Sequence, residues 1–443
     1  MNSIMTHYHV PDEKEAFKKI GHVIENHITR VALNKGIRFR YQPELAVISG
    51  AGIAGLAASF ELIAKGFKVV VVEKRNTFSR SNIINLNVET QYFLKKFGLL
   101  KEFEESVAGR ISTHRYVHIG KKSIQDLGVS DVSELQLSDT SFEAEHADKL
   151  FNHDGIYSVK IGDLQTFLAK KLLEAGGSLF REVEVDVLDR TEAGGASELN
   201  IRGINSSFNK TLQPDLFFIA EGAHSTTAKQ LGITVNQVKN ECTDENWIFG
   251  NADYCGKKTC VVSIIDTSAG HLEIANVIFN AKVQEVNIAV TSEQSLTQKE
   301  IKQRILNVMK QAFDLQEMDQ IPHCLKSVVK QPVHIENETR DPFSIDNIFL
   351  IGDAAGRSSP LAGLGGTLGL TLIPRTIHQL LRDRNEQPAH LHPHFKQFSD
   401  DYTSRWIQKS ANVKIFCLGI LDKERKAVDP CESPLKERGS DEA

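Results

Sequence analysis

Residues 45–55 read Leu45-Ala-Val-Ile-Ser-Gly-Ala-Gly-Ile-Ala-Gly55, and a helical run then leads to Lys68-Val-Val-Val-Val-Glu73. Leu45 to Ile48 is an apolar run of the length of a buried strand, and Leu56 to Lys65 has helical character. Gly50, Gly52 and Gly55 occupy the three glycine places of a dinucleotide-binding turn, with Ala54 inside the same turn. Each glycine has a mechanical role. Gly50 permits the tight turn, Gly52 lets the backbone approach a pyrophosphate, and Gly55 allows close packing of helix on strand. The helix N-terminus then faces the phosphates with free N–H groups and the positive end of its dipole. Glu73 closes the second strand near the spacing of about twenty residues at which an acidic side chain accepts hydrogen bonds from a ribose 2′-OH. A carboxylate there repels a 2′-phosphate, so the site suits FAD or NAD better than NADP.

Composition narrows the class. A chain of 443 residues is long enough for two or three domains and a large core. A formal net charge of −5 gives no general affinity for nucleic acid. The six cysteines, Cys242, Cys255, Cys260, Cys324, Cys417 and Cys431, lack paired CxxC spacing. Reduced thiols in a cytoplasmic setting fit them better than a zinc site or a disulfide framework. His7 and His9 form an isolated pair that offers no metal site by itself. The start of the chain lacks a basic segment followed by an apolar core, and no run reaches the length of a membrane span, so no stable membrane insertion is expected. Ile415 to Leu421 reads as part of a docked C-terminal helix.

The expected architecture is α/β, a Rossmann-type FAD-binding domain with an inserted antiparallel-sheet substrate domain and helical N- and C-terminal extensions. Residues 1–43 carry helical spacing in Phe17, Ile20, Val23, Ile24, Ile28 and Val31. Residues 44–231 form the first part of the FAD-binding domain. Within it, Asn87 to Phe103 reads as a helix with Gly98 as its stop, residues 122–150 as an irregular acidic excursion, and Ile161 to Ala175 as an amphipathic helix ended by Gly176-Gly177. Residues 232–335 change character. Cys260 to Ile265, Leu272 to Phe279 and Val286 to Val290 are β-branched runs of an antiparallel sheet, and Thr297 with Glu300 forms a capping box ahead of Ile301, Ile305, Val308, Met309 and Phe313. Residues 336–422 return to the nucleotide fold with C-terminal helices, and 423–443 read as a charged, disordered tail.

The second informative segment is Asn347-Ile-Phe-Leu-Ile-Gly-Asp-Ala-Ala-Gly-Arg-Ser-Ser-Pro-Leu-Ala-Gly-Leu-Gly-Gly366. Its order is strand, acidic turn, glycine-rich loop, helix. Asp353 at the strand end can hydrogen-bond a ribityl hydroxyl or cap the following helix, while Gly363, Gly365 and Gly366 leave backbone N–H groups open to a pyrophosphate or a flavin edge. Together with the first turn, this pair of segments resembles the FAD-binding fold of the p-hydroxybenzoate hydroxylase-like flavoprotein monooxygenases. The run Val71-Val-Glu-Lys-Arg-Asn-Thr-Phe-Ser-Arg-Ser-Asn82 is most similar to the MICAL flavin monooxygenase domain, which carries a similar EKR followed by FSR-x-N.

The resemblance implies that Glu73 and Arg75, with Lys74 between them, hold the adenosine end, and that Arg80 and Asn82 reach the flavin or its phosphates. Val185, on the strand-like run Glu182 to Leu188, and Gly352 and Pro360 beside Asp353 complete the expected cofactor contacts. The chain also departs from the family. Gly162 replaces an arginine, Asn87 stands near a MICAL tryptophan, and the middle motif survives only as Ala220-Glu221-Gly222-Ala-His-Ser225 with Ala228 at the usual arginine place. The implied reaction is reduction of FAD by NADH or NADPH and oxygenation of a substrate through a flavin C4a-hydroperoxide. The substrate is a small hydrophobic or aromatic molecule, or a protein methionine such as one in actin. The loop Gly352 to Gly363 also resembles geranylgeranyl reductases, which keeps a flavin-dependent reductase open, and a flavin-containing effector protein is a third reading. No acid/base pair or triad stands out, the catalytic residue is left unassigned, and His224 reads as structural.

Overall fold

The computed structural model describes residues 44–120, 156–237, 245–292, 295–315, 325–341, 343–360 and 363–383, with 407–408, 411, 414–415, 417–423 and 425 towards the C-terminus. The helical extension expected over 1–43, the excursion at 122–150 and the tail beyond 425 lie outside the described residues. The chain divides into two compact units.

The first unit contains a six-stranded sheet. Its strands are Leu45–Ser49 (β1), Lys68–Glu73 (β2), Ser178–Arg181 (β3), Leu216–Ile219 (β4), Ser344–Ile345 (β5) and Ile348–Leu350 (β6). They lie in the order β5-β6-β4-β1-β2-β3. All neighbours are parallel except β5, which pairs antiparallel with β6. β1, β2, β4 and β6 read as unbroken apolar runs because a parallel sheet is covered on both faces, and their central residues are buried. Three helices frame the nucleotide side: Ile53–Ala64 (α1), Ile161–Glu174 (α2) and Gly365–Asp383 (α3). α1 begins directly after the glycine turn that follows β1, and α3 packs across it at Gly369, where an added Cβ would lie 3.3 Å from Ile53 Cγ2.

The helix expected over residues 87–103 stops at Gly98, as its glycine implies, and a second short helix follows, so that the segment holds Thr90–Lys96 and Leu100–Ser106. Gly98 between them adopts a left-handed φ of 67°. The Leu99 N–H donates back to the Leu94 carbonyl at 2.7 Å, which satisfies the open end of the first helix and turns the chain. This helix pair is held to α1 by an aromatic cluster, Phe60, Phe93 and Phe97. Beside the cluster, the Glu61 carboxylate of α1 is buried, and Lys96 and His378 both contact it. A carboxylate removed from water survives there because two cation-capable groups approach it from separate helices.

The second unit contains a seven-stranded sheet. Glu245–Asp253, Cys260–Asp266, Glu273–Asn280 and Glu285–Ser292 pair antiparallel, as the β-branched runs imply. The helix Gln298–Leu315 covers one face, with Ile301, Ile305 and Met309 in the same core as Ile248, Val277 and Ile288. Its start follows the capping box, with the Thr297 N–H donating to Glu300 Oε2 at 2.7 Å. The second unit differs from the expected 232–335 block in two places, though it too gives way to the first unit after Ile335. Thr113–Ile119 joins this sheet as a parallel partner of Cys260–Asp266, and Thr234–Gln237 pairs with Glu338–Asp341 in the first unit. Both pairings join segments more than a hundred residues apart, so no local periodicity reports them. No described helix is long and apolar enough to cross a membrane.

The buried Glu61 gives a stability test. Lys96→Met should lower the unfolding free energy by about 2 kcal/mol, because it leaves a carboxylate in the core with His378 alone. Adding Glu61→Leu should recover most of that loss, as urea denaturation of the single and double variants would measure.

Candidate cofactor site

The first glycine turn is built by close approach of backbones. The Gly50 N–H donates to the Val72 carbonyl at 2.7 Å, and its φ of 107° is a left-handed conformation. A Cβ at Gly50 would lie 2.3 Å from the Ala220 carbonyl oxygen, and one at Gly55 would lie 2.2 Å from the Gly50 oxygen. These two glycines are therefore demanded by the protein's own packing. Gly52 is different: a Cβ there meets only the Ala220 oxygen, at 3.8 Å. That side of the turn is open, as the approach of a pyrophosphate requires. Gly52 also stands at the N-cap of α1, which has no side-chain cap and no acidic residue in its first turn. The orphan N–H groups and the helix dipole thus keep their capacity for an anion.

Glu73 fixes the far side of this turn. Its Oε2 accepts from the Ala51 N–H and its Oε1 from the Arg75 N–H, both at 2.9 Å. Each oxygen retains a second lone pair for a ribose hydroxyl. Lys74 and Arg75 are exposed beside it. Gln165, which the sequence reading passed over, reaches from α2 to donate its Nε2–H to the Ala51 carbonyl at 2.9 Å. Its only trace in the sequence is a polar residue on the buried stripe of Leu164, Phe167 and Leu168. Val185 is buried in the core of the unit and its carbonyl accepts from Thr227 Oγ1 at 3.4 Å.

The second glycine segment meets the first. Gly352, with φ of 61°, sits so close to α1 that its Cβ would lie 2.7 Å from the Ala54 Cβ. Asp353 follows in a short 3-10 turn. Its side chain keeps solvent-accessible surface, yet surrounding protein desolvates the carboxyl and raises its pKa, opposed by Arg80 and then Arg357. Gly363, with φ of 63°, donates its N–H to the Pro360 carbonyl at 2.8 Å, and α3 starts two residues later at Gly365 with no acidic residue in its first turn. Gly366 has the reason of contact: a Cβ would lie 2.5 Å from Ile84 Cδ1.

Arg80 is exposed and Asn82 half-buried on the loop before the strand Ile83–Leu86. That loop lies on the start of α2. The Gly162 N–H donates to the Arg80 carbonyl at 3.1 Å and Ile161 N–H to the Asn82 carbonyl at 2.9 Å. A Cβ at Gly162 would lie 2.6 Å from the Phe78 carbonyl oxygen, which explains why a larger residue is absent there. Arg80 bears electrostatically on Asp353 and opposes the rise of its pKa.

The weakened middle motif also has a structural account. Glu221 accepts from Ser49 Oγ at 2.5 Å, from Ser225 Oγ at 2.7 Å, and from the Thr227 hydroxyl and N–H. The Glu221 carboxylate thus ties the end of β1 to the start of the helix Thr226–Gln230, whose N-cap Ser225 accepts from the Ala228 N–H at 3.0 Å.

Two convergent glycine turns, the Glu73 carboxylate bonded to the first of them, an uncapped helix start and the exposed Asp353 are the parts of a dinucleotide-type site, and the family match makes the protein a flavin-dependent oxidoreductase. The chain belongs to the FAD binding domain family, whose profile matches residues 44–371. It is similar to the F-actin-monooxygenase MICAL2 of Mus musculus, with 29% identity over 190 residues, covering 38% of this chain and 10% of that protein. The mical2 protein of Xenopus tropicalis is 45% identical over 65 residues, covering 15% of this chain and 6% of that protein. The chain thus spans a small part of these relatives. In fold it is similar to the p-nitrophenol 4-monooxygenase PnpA of Pseudomonas putida, with a TM-score of 0.63, 15% identity, and coverage of 87% of this chain and 94% of that one. PqsL of P. aeruginosa, solved with 2-aminobenzoylacetate, gives a TM-score of 0.61 at 16% identity, covering 87% and 99%. An aklavinone-11 hydroxylase solved with FAD and aklavinone gives 0.55 at 16% identity, covering 79% and 63%.

The contrast between the glycines can be measured. Gly50→Ala should destabilise the fold by about 3 kcal/mol or more, through backbone clash and positive φ. Gly52→Ala should cost less than about 1 kcal/mol in the cofactor-free chain, yet weaken FAD binding in fluorescence titration. Gly52→Glu and Asp353→Ala should both yield colourless or weakly coloured protein, read from the visible spectrum.

Proposed function

We propose that the protein is an FAD-dependent monooxygenase that draws electrons from NADH or NADPH and oxygenates an apolar or aromatic substrate. The observation that carries this reading is the meeting of the two glycine segments, with Gly352 against Ala54 of α1. The cofactor, when bound, supplies hydride acceptance from the nicotinamide and electron delivery to dioxygen. The chain's own residues hold and orient it. Gly52 and the N–H groups of α1 receive the pyrophosphate, Glu73 the adenosine ribose, and Asp353 a ribityl hydroxyl. Arg80 adds positive charge on the phosphate side, and Gly363, Gly365 and Gly366 present the start of α3 to the ring edge.

A small aromatic substrate follows the printed ligands of the fold neighbours, 2-aminobenzoylacetate and aklavinone. A protein methionine, as in actin, is the second reading, and the alignments with F-actin monooxygenases favour it. A cytoplasmic setting fits the free thiols of Cys255, Cys260 and Cys417.

Anaerobic titration of the yellow protein with NADH and with NADPH tests this. One nicotinamide should bleach the flavin band, and admission of oxygen should restore it with release of peroxide when substrate is absent. Bleaching without reaction with oxygen would replace the proposal by a reductase. Flavin that neither nicotinamide reduces would leave a binding or effector protein. Product analysis with small phenols and with filamentous actin then separates the two substrate classes.

A further inference from the structure

Arg340 is a buried guanidinium that none of the cofactor contacts above uses. It lies on the strand Glu338–Asp341 and is 5% exposed. Its backbone N–H donates to the Ala355 carbonyl at 3.0 Å, within the turn that carries Asp353. Its side chain runs the other way, and Nη2 donates to the carbonyl of Ala223, in the turn that follows β4. Burial lowers its pKa, Glu338 opposes that shift, and Arg357 adds to it. Glu338 is itself engaged by Arg357 at 2.8 Å. A cation kept this deep, with a neutral carbonyl as its hydrogen-bonded partner, costs stability that an apolar residue would not.

The contacts around it close a ring. Ala220 lies against Gly50, Gly52 and Gly55 of the first glycine turn. From there the chain passes through Glu221, bonded to Ser49, to Ala223. Arg340 bridges Ala223 to Ala355, and Gly352, three residues back, returns to Ala54 at the start of α1. Every other link in this ring is covalent, a backbone approach or a carboxylate bond at the end of β1. The Arg340 guanidinium bonds the turn after β4, while the backbone N–H of the same residue bonds the turn after β6.

We propose that Arg340 is a positioning residue, which clamps the turn 220–225 to the turn 352–357 so that both walls of the dinucleotide cleft are held as one body. This rests on the FAD reading for its consequence, though the clamp itself is a property of the chain without cofactor. Loss of the guanidinium leaves the strand pairing with Ala355 intact and frees Ala223, between the Ala220 and Glu221 end that Ser49 holds and the Ser225 cap.

Two measurements on Arg340→Met and Arg340→Lys test it. In the cofactor-free proteins, hydrogen exchange should accelerate in Arg340→Met over residues 221–227, with β1 and β2 unchanged. FAD affinity should fall by about tenfold, the weight of one hydrogen bond from a charged group, and the visible circular dichroism of the bound flavin should change. Arg340→Lys should recover part of both effects, because an ammonium donates to one carbonyl without the planar fork. Unchanged exchange over 221–227 would overturn the clamp. So would faster exchange with FAD affinity and flavin dichroism equal to wild type, and so would acceleration spread evenly through β1 and β2, which marks a general loss of stability. If wild-type protein takes up no FAD, the cofactor reading fails, and the exchange experiment still decides the clamp.

Discussion

The first unit depends on a place where three backbones come within van der Waals distance with no side chain between them. The turn after β1, the start of α1 and the end of β4 meet at Gly50, Gly55 and Ala220, at separations that a single methyl group would prevent. The parallel pairing of β1 with β4 places Ala220 there, and its N–H donates to the Ser49 carbonyl at 2.7 Å. Everything that could hold a dinucleotide is referenced to this point. α1 starts from it, Glu73 reaches across to its Ala51 N–H, Gln165 pins the Ala51 carbonyl from α2, and Gly352 leans on α1 one residue before Asp353. A site assembled from main chain in this manner is stiff, because moving any wall requires moving a strand.

Much of this was legible in the sequence because local chemistry dictated it. The run from Leu45 to Glu73 carries both the apolar pattern of strands covered on two faces and the glycine spacing of the turn, and the structure places β1, α1 and β2 there in that order. The capping box at Thr297 and Glu300 is equally local. Other features depend on partners far away. Nothing near residue 113 reports that a parallel neighbour lies at Cys260–Asp266. The chain resumes as a second short helix, Leu100–Ser106, beyond Gly98, whose left-handed conformation ends the first as its glycine implied.

The site shows the same division. The spacing of Gly50, Gly52, Gly55 and Glu73 implies a turn and an acid facing it, and that is where the fold puts them, with Asp353 just past a strand end. Gln165 and Arg340 were not legible in this way, since each is one polar residue in an otherwise ordinary amphipathic stretch, and its role exists only once the chain has folded. Gly162 marks a middle case. The sequence marks it only as a departure from the resembling family, and the structure gives it a steric purpose beneath the loop that carries Arg80.

The strand Thr113–Ile119 has a consequence for how this protein could be re-engineered or could have diversified. Because it is hydrogen-bonded along its length to Cys260–Asp266, the seven-stranded sheet is not a cassette bounded by one entry and one exit. A swap of residues 245–335 alone would strip that flank and leave an apolar strand edge bare, which invites self-association. Any chimera that exchanges this sheet must graft two separate pieces of chain together, and lineages that recombine it face the same demand.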